Sequence, residues 1–462
     1  MPTAAQDLAR FCSELDPGSI PVDVRRTASV HILDVLGCGM AALASGEVPW
    51  VLEAALEEAN GGASSAIGHP LPLPVVTAAV VNGTLCHALD FDDTHPLSSV
   101  HASAPIVPAA LATAESIDAT GADTIAAIIA GYEVAARIGG AAAGAIHATG
   151  FHPTGICGVF GAAAAASRLY RLDPEQTVNA FGIAGSMASG ILEFLADGSE
   201  VKKLHAGWAA QSGVIAARLA RHGATGPPTV LEGERGFYAT YLGAASGQVD
   251  LGPLLSTLGN AWETREIAYK PYPSCHATHA PIDALKRLMV DEHLMLSDVE
   301  SLVALTDING ESLVLLPTAD KAAPRTSYEA KFSLPYCLAR VLVDGDITIE
   351  SFATSAIADP QVLDIAGRVT YEVRDYSGAA DGISGGVVVM TKDGRQLEAE
   401  LLHQRGGVRN PMSEAEIVEK YRSNAALGLP SEDAAQFEAG VLDLENLRDL
   451  SLLRTLRRVR AA

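Results

Sequence analysis

Basic residues are scarce in this chain of 462 residues, because 32 Lys and Arg stand against 55 Asp and Glu, which gives a formal net charge of −23. Nucleic-acid phosphates and anionic membrane surfaces both attract clusters of Lys and Arg. The charge balance therefore predicts neither a nucleic acid nor a membrane as a partner. Lysine is especially rare, since the chain has only eight lysines and none precedes Lys202.

Paired cysteine motifs are absent, because the six cysteines are scattered without any C-x-x-C. This distribution predicts reduced thiols rather than a disulfide framework or a zinc ribbon. Residues 1–16 lack the basic and apolar parts of a signal peptide, so we expect a cytoplasmic protein. Residues 138–167 carry no charged side chain and are long enough to span a bilayer, but they are rich in Gly and Ala and contain His147 and His152. We interpret them as a buried helix, loop and helix.

The length exceeds what one hydrophobic core usually serves, so the chain predicts two domains. Apolar residues recur at helical spacing up to about residue 265 and again after 408. Between these segments lie strand-like runs and one hairpin signal, in which Lys392-Asp393-Gly394 separates residues 386–391 from 396–402. We therefore expect a mainly α fold. A large all-helical domain (1–265 plus 408–462) would carry an inserted, smaller α+β lid domain (266–407).

Five stretches place titratable groups inside otherwise apolar sequence, where a charge is costly unless it is paired or used. The first, HALDFDDTHPLSSVH, spans residues 87–101. Its polar side chains are His87, Asp90, Asp92, Asp93, His95 and His101. Such a set suits acid–base catalysis, and it also suits Mg²⁺, Fe or Zn. A capped loop after a helix remains the structural alternative.

The second and third stretches each open an apolar helix. In GFHPTG (150–155), His152 stands at a predicted helix start, where free N–H groups favour an anion; a hydrogen-bonded core histidine is the alternative. In the third stretch, the Lys202-Lys203 pair stands beside His205. Lysines at a helix start oppose the helix dipole, which favours a functional role over two solvated side chains.

The fourth stretch, YKPYPSCHATH (269–279), contains Lys270, His276 and His279. Two histidines at this spacing are weak evidence for a metal site. The fifth stretch, RTSYEAKFSLPYC (325–337), contains Arg325, Lys331 and Tyr336. Its cations, together with those of the earlier stretches, predict a positive pocket for a small anion on a strongly negative protein, with ordinary surface charge as the alternative.

Together these segments resemble the MmgE/PrpD family, which includes 2-methylcitrate dehydratases, cis-aconitate decarboxylases and iminodisuccinate epimerases. The matching motifs run in order from about residue 80 to 340: HALDFDDTH, HASAP, GFHPTG, LEFLADG…KxLHAGW, KPYPSCxxTH and AKFSLPYC. The resemblance implies a helical domain with a smaller lid, a homodimer, and a site between the domains that needs no metal and no organic cofactor. The PLSSV spacer (96–100) and His276 depart from the family pattern, and both positions bear on the choice of substrate.

The resemblance also implies the site residues and the chemistry. The catalytic residues would be Asp90, His101, His152, Lys202 and Tyr336, and the substrate-binding residues would include His276 and His279. Lys270 and Arg325 join the substrate-binding residues as cations of the positive pocket predicted above, and not from the motif match. A histidine oriented by Asp90 would move a proton next to a carboxylate, the lysines would hold carboxylates, and Tyr336 would assist the leaving group. We expect a lyase acting on a small di- or tricarboxylate, with dehydration of 2-methylcitrate as the leading reaction. The alternatives are epimerisation of a dicarboxylate such as iminodisuccinate, decarboxylation of cis-aconitate, and a catalytically silent carboxylate-binding member.

Overall fold

The computed structural model describes residues 2–57, 61–377 and 382–461. Its fold is mainly α with a smaller α+β part, as the sequence predicts. The six cysteines are buried and unpaired.

The first part of the chain is helical throughout. Its α-helices are α1 (Ala4–Glu14), α2 (Val22–Ala44), α3 (Pro49–Glu57), α4 (Val75–His87), α5 (Ser103–Ser116), α6 (Gly121–Gly140), α7 (Ala145–Ala148), α8 (Pro153–Leu169), α9 (Pro174–Met187), α10 (Val201–Arg221), α11 (Phe237–Leu242) and α12 (Gly252–Leu255). The charge-free run 138–167 forms the end of α6, the short α7 and most of α8, in agreement with the predicted helix, loop and helix.

Small residues bring α4, α5, α8 and α10 into close contact, and these four helices form the centre of the helical core. Where α4 meets α10, a Cβ atom added to Gly207 would lie 2.4 Å from the Val80 carbonyl oxygen and 2.2 Å from Thr84 Oγ1. Only glycine fits such a close approach. The beginnings of α8 and α10 are thereby fixed beside the end of α4, which is where the polar segments lie.

The α+β part contains one four-stranded sheet of order β2-β1-β3-β4. Its strands are β1 (Val299–Thr306), β2 (Val369–Val373), β3 (Gly385–Thr391) and β4 (Gln396–Leu401). β1 pairs parallel with β2 and antiparallel with β3, and β3–β4 is the predicted hairpin. The helices are α13 (His279–Asp291), α14 (Ile308–Gly310), α15 (Thr318–Ala322), α16 (Ser327–Lys331), α17 (Leu334–Asp344), α18 (Thr354–Ile357) and α19 (Pro360–Ala366). This part has a hydrophobic core of its own.

The chain then returns to the helical core through α20 (Glu414–Ala425) and α21 (Ser431–Leu442). α20 packs on α2, where Tyr421 lies against Gly37. α2 is long and apolar enough to cross a membrane, but 94% of its most apolar window is buried in the protein, which is the situation of a core helix. The domain boundaries at 266 and 407 stay a prediction, which the two separate hydrophobic cores support.

The contact between α4 and α10 gives a test of this packing. Gly207→Ala places a methyl group against backbone and should lower the free energy of unfolding by about 1–3 kcal/mol. Gly247→Ala is the matched control, since nothing lies within 4 Å of its added Cβ, and it should change stability by less than about 0.5 kcal/mol. Urea unfolding measures both, and equal stability of the two variants would contradict the close approach.

Candidate active site

The Asp90 carboxylate is the electrostatic centre of the polar region. It follows the end of α4 and lies between two ammonium groups, with Lys202 Nζ 2.5 Å from Oδ1 and Lys270 Nζ 3.1 Å from Oδ2. All three side chains are buried. Burial disfavours the charged carboxylate, but Lys202 and Lys270 outweigh it, so the pKa of Asp90 lies well below its usual value. The alternative of two solvated lysines at the start of α10 is wrong, since Lys203 is also buried and pairs with Glu47 and Glu200.

Asp92 holds two imidazoles at once. Its Oδ2 lies 2.8 Å from His87 Nδ1 and 3.2 Å from His101 Nδ1. Burial opposes the charge of Asp92, but the two histidines lower its pKa far below the usual value. An ionised carboxylate can only accept, so each histidine donates from Nδ1. His101 thus keeps Nε2 for a ligand, and burial lowers its pKa to about 4, although Asp92 opposes this.

His152 is the N-cap residue of α8, and its ring faces the same cluster. Its ring centre lies 5.5 Å from that of His87 and 6.1 Å from that of His101, and its Nδ1 is 3.1 Å from His205 Nδ1. Burial is the main cause that lowers the pKa of His152 well below its usual value and that of His205 to about 4. Because one nitrogen of the pair must accept, the shared hydrogen bond requires at least one neutral imidazole.

The α+β part contributes Lys270, His276 and His279. His276 is buried, and neither of its ring nitrogens has a hydrogen-bond partner among the described residues. Its ring centre is 4.7 Å from that of His279, whose Nε2 donates to the Ser274 carbonyl oxygen at 3.2 Å. Burial lowers the pKa of His279 to about 3 and that of His276 well below its usual value. Unpartnered buried nitrogens such as these are available to a ligand.

The structure does not bring Tyr336 and Arg325 into this cluster. The Tyr336 hydroxyl donates to the Ser351 carbonyl oxygen at 2.5 Å inside the core of the α+β part, so its proton is already engaged. The Arg325 side chain is 61% exposed and pairs with Glu329. The predicted orientation of a histidine by Asp90 is also wrong in detail, because the two lysines occupy Asp90 and Asp92 takes that role.

Several functional candidates were not selected from sequence. His87, Asp92 and His205 lie within the polar stretches, and only their mutual contacts distinguish them from their neighbours. Lys331 is buried without a carboxylate partner among the described residues, and its Nζ donates to the Pro273 carbonyl oxygen at 3.0 Å. Burial lowers the pKa of Lys331 to about 8. From sequence, Lys331 was counted among the cations of the fifth stretch but was not selected as a site residue.

One group among the described residues has the composition of a metal site. His87, Asp92 and His101 each offer one ligand atom, and these atoms lie within 4.8 Å of one another. A cation there would displace both hydrogen bonds that Asp92 accepts from the histidines. The nearby Asp90 carboxylate is already neutralised by two ammonium groups and would not add a ligand. The arrangement therefore favours acid–base chemistry over a metal.

The protein has a helical part, an α+β part, and a cluster rich in histidine and lysine between them. Comparison with known proteins shows which family has this organisation. The MmgE/PrpD N-terminal domain model matches residues 6–249, and the MmgE/PrpD C-terminal domain model matches residues 272–446. The chain belongs to the MmgE/PrpD family, as the sequence motifs predicted.

Full-length relatives are named cis-aconitate decarboxylases. The chain is similar to a cis-aconitate decarboxylase-like protein of Aspergillus oryzae, with 28% identity over 97% of this chain and 96% of that protein. It is also similar to the cis-aconitate decarboxylase of Homo sapiens, with 31% identity over 92% of this chain and 88% of that protein. These relatives support an enzyme of the lyase type.

The buried imidazoles make stability depend on pH. In the unfolded chain each histidine gains a proton as the pH falls below about 6.5, whereas His101, His152, His205, His276 and His279 stay neutral in the folded protein to much lower pH. The folded pKa values are depressed, so this stability is present above pH 6.5 and is lost as the pH falls toward 4. We expect the free energy of unfolding in urea to fall steeply between pH 6.5 and 5.

The contribution of one buried histidine can be isolated. His276→Gln removes a titrating group that makes no hydrogen bond to the part of the chain that the structure describes. It should reduce the slope of the free energy of unfolding against pH by about 1 kcal/mol per pH unit. His222→Gln, at an exposed position, should leave the slope unchanged. An identical slope in His276→Gln and the wild type would show that His276 titrates alike in both states.

Proposed function

We propose that the protein is a cofactor-independent lyase that removes CO₂ from an unsaturated tricarboxylate of the cis-aconitate type. The observation that carries the proposal is the buried Asp90 carboxylate held by Lys202 and Lys270, next to the Asp92–His101 pair. The named activity of the full-length relatives favours decarboxylation over the dehydration that the sequence motifs placed first.

Charge explains why such a site takes a polycarboxylate. Two ammonium groups face the single carboxylate of Asp90, and the second carboxylate, that of Asp92, is engaged by His87 and His101. The neighbouring imidazoles of His101, His152 and His276 are neutral and add hydrogen-bonding nitrogens without opposing charge. Little water screens these groups because they are buried, so their interaction with a substrate carboxylate is stronger than at a surface.

The reaction needs one proton. The carbon–carbon bond to the departing carboxylate breaks, and its electron pair forms a new double bond. The electron pair of the original double bond then takes a proton at carbon, and CO₂ leaves. Binding of a trianion beside His101 favours the protonated imidazole, and Asp92 stabilises that charge through Nδ1. His101 is thus the proposed proton donor, with His152 as the second candidate for this role.

The other predicted roles follow from the same placement. Lys202, Lys270, His276 and His279 are the proposed substrate-binding residues, whereas the exposed Arg325 and the engaged Tyr336 hydroxyl are not included. A homodimer and a cytoplasmic location remain predictions.

Removal of one ammonium group tests the charge argument. Lys202→Met keeps the length of the side chain but removes its positive charge, and kcat/KM should fall by at least about 100-fold. Lys286→Met is the matched control, because Lys286 pairs with Asp346 on the outer side of α13 and should leave kcat/KM within about twofold of wild type. An unchanged kcat/KM in Lys202→Met, with the fold intact by circular dichroism, would remove Lys202 from the mechanism.

Proton NMR in D₂O distinguishes the family reactions. The panel is cis-aconitate, 2-methylcitrate, citrate, iminodisuccinate and tartrate, with CO₂ measured in parallel. We expect cis-aconitate to give CO₂ and a five-carbon dicarboxylate that has a terminal methylene group and one deuterium atom. An alkene formed from 2-methylcitrate without CO₂ would establish dehydration instead. Loss of an α-proton signal without a new skeleton would establish epimerisation, and thermal stabilisation without turnover would establish a silent binding member.

A further inference from the structure

The backbone at Asp90 is held in a conformation that a non-glycine residue rarely adopts. Its φ angle is +54°, in the left-handed region. Such a conformation is unfavourable for any residue with a Cβ atom, and it persists only where its surroundings hold it in place. The direction of the Asp90 carboxylate therefore depends on whatever fixes the backbone of this turn.

Two buried ammonium groups hold consecutive carbonyl groups of the turn. Lys270 Nζ donates to the Asp90 carbonyl oxygen at 2.9 Å, and Lys420 Nζ donates to the Phe91 carbonyl oxygen at 2.8 Å. Lys420 Nζ also lies 3.9 Å from the centre of the Phe91 ring, so it contacts both the backbone and the side chain of that residue. The two lysines are 150 residues apart in the sequence, with Lys270 at the beginning of the α+β part and Lys420 after its end.

Lys420 is itself fixed from the opposite side. Its Nζ lies 2.8 Å from Asp34 Oδ1 in α2, and both side chains are almost fully buried. Burial disfavours the ammonium charge, but Asp34 outweighs this and raises the pKa of Lys420. If Lys420 served only to form an ion pair, its contact with Asp34 would be enough. The additional contacts with Phe91 connect that pair to the turn beside Asp90.

We infer that Lys420 is a positioning residue for the reaction, which fixes the Asp90 turn without contacting the substrate. The inference rests on the proposed function, because it requires Asp90 to lie at the reacting centre. It gives the segment after the α+β part a role in catalysis, since α20 supplies the group that completes the turn. A misplacement of about 1 Å in a catalytic group can reduce turnover about 100-fold.

The test removes the ion pair without leaving a single buried charge. Asp34→Asn/Lys420→Met should lower kcat by about 10- to 100-fold and change KM by less than about threefold, because the substrate-binding lysines remain. Asp34→Asn alone keeps the donor to Phe91 and should retain kcat within about threefold. Arg422→Met, at an exposed position of α20, controls for a substitution in that helix.

Folding and positioning are separated by a second double variant. Asp34→Leu/Lys420→Met replaces the pair with apolar groups, a change that many proteins tolerate. Circular dichroism and melting temperature show which of the two double variants folds like the wild type. The kcat of that double variant is then compared with the kcat of Asp34→Asn. A kcat within threefold of wild type in that double variant would overturn the inference. So would equal losses in the double variant and in Asp34→Asn, since both lack the ion pair but only one lacks the donor.

The test of the proposed function and the test of Lys420 give separate answers. All variants are assayed on the carboxylate that the wild type converts, so a wild type that dehydrates 2-methylcitrate overturns the decarboxylase assignment but still tests Lys420. A wild type that converts none of the five carboxylates overturns both.

Discussion

The buried carboxylate of Asp90 between Lys202 and Lys270 is the interaction on which the rest of the site depends. Moving a charged group from water into the protein interior costs several kcal/mol, so this buried group of three ions is not there mainly to stabilise the fold. Its three members come from the end of α4, the start of α10 and the beginning of the α+β part. The close contact of α4 with α10 at Gly207 places the first two side by side, and the chain crossing at residue 270 supplies the third.

The histidines around this group give the site polarity without additional charge. His101, His152 and His276 are crowded into a volume where several protonated rings would repel one another. Burial keeps them neutral, and Asp92 determines which nitrogen of His101 faces outward. A neutral imidazole can both accept and donate, so one set of side chains suits the proton transfers of several related reactions. This explains how one family can include dehydratases, decarboxylases and epimerases.

Most of the helices were predictable because their apolar residues recur at helical spacing, and a charged side chain inside such a run was conspicuous. That contrast marked the stretches that contain Asp90, His101, His152 and Lys202, and the resemblance to the MmgE/PrpD family selected these residues within them. Residues 327–344 form two helices, α16 and α17, because Ser333 caps a new helix start ahead of Pro335. Tyr336 was assigned from motif membership and Arg325 from its charge, and neither shows where a side chain points. Lys420 was missed because its helix looks like an ordinary amphipathic helix, and its partners are more than 300 residues away.

The return of α20 to the face of α2 has a consequence for biosynthesis. α2 ends at Ala44, and α20, which covers part of it, begins at Glu414. The ribosome must therefore synthesise most of the chain after α2 before α20 exists. At about 5–20 residues per second this takes roughly 20–70 seconds. Throughout that time the surface of α2 around Gly37, which will receive Tyr421, is without its partner on the emerging chain. The nascent protein therefore presents this apolar face of α2 to chaperones until α20 has been made.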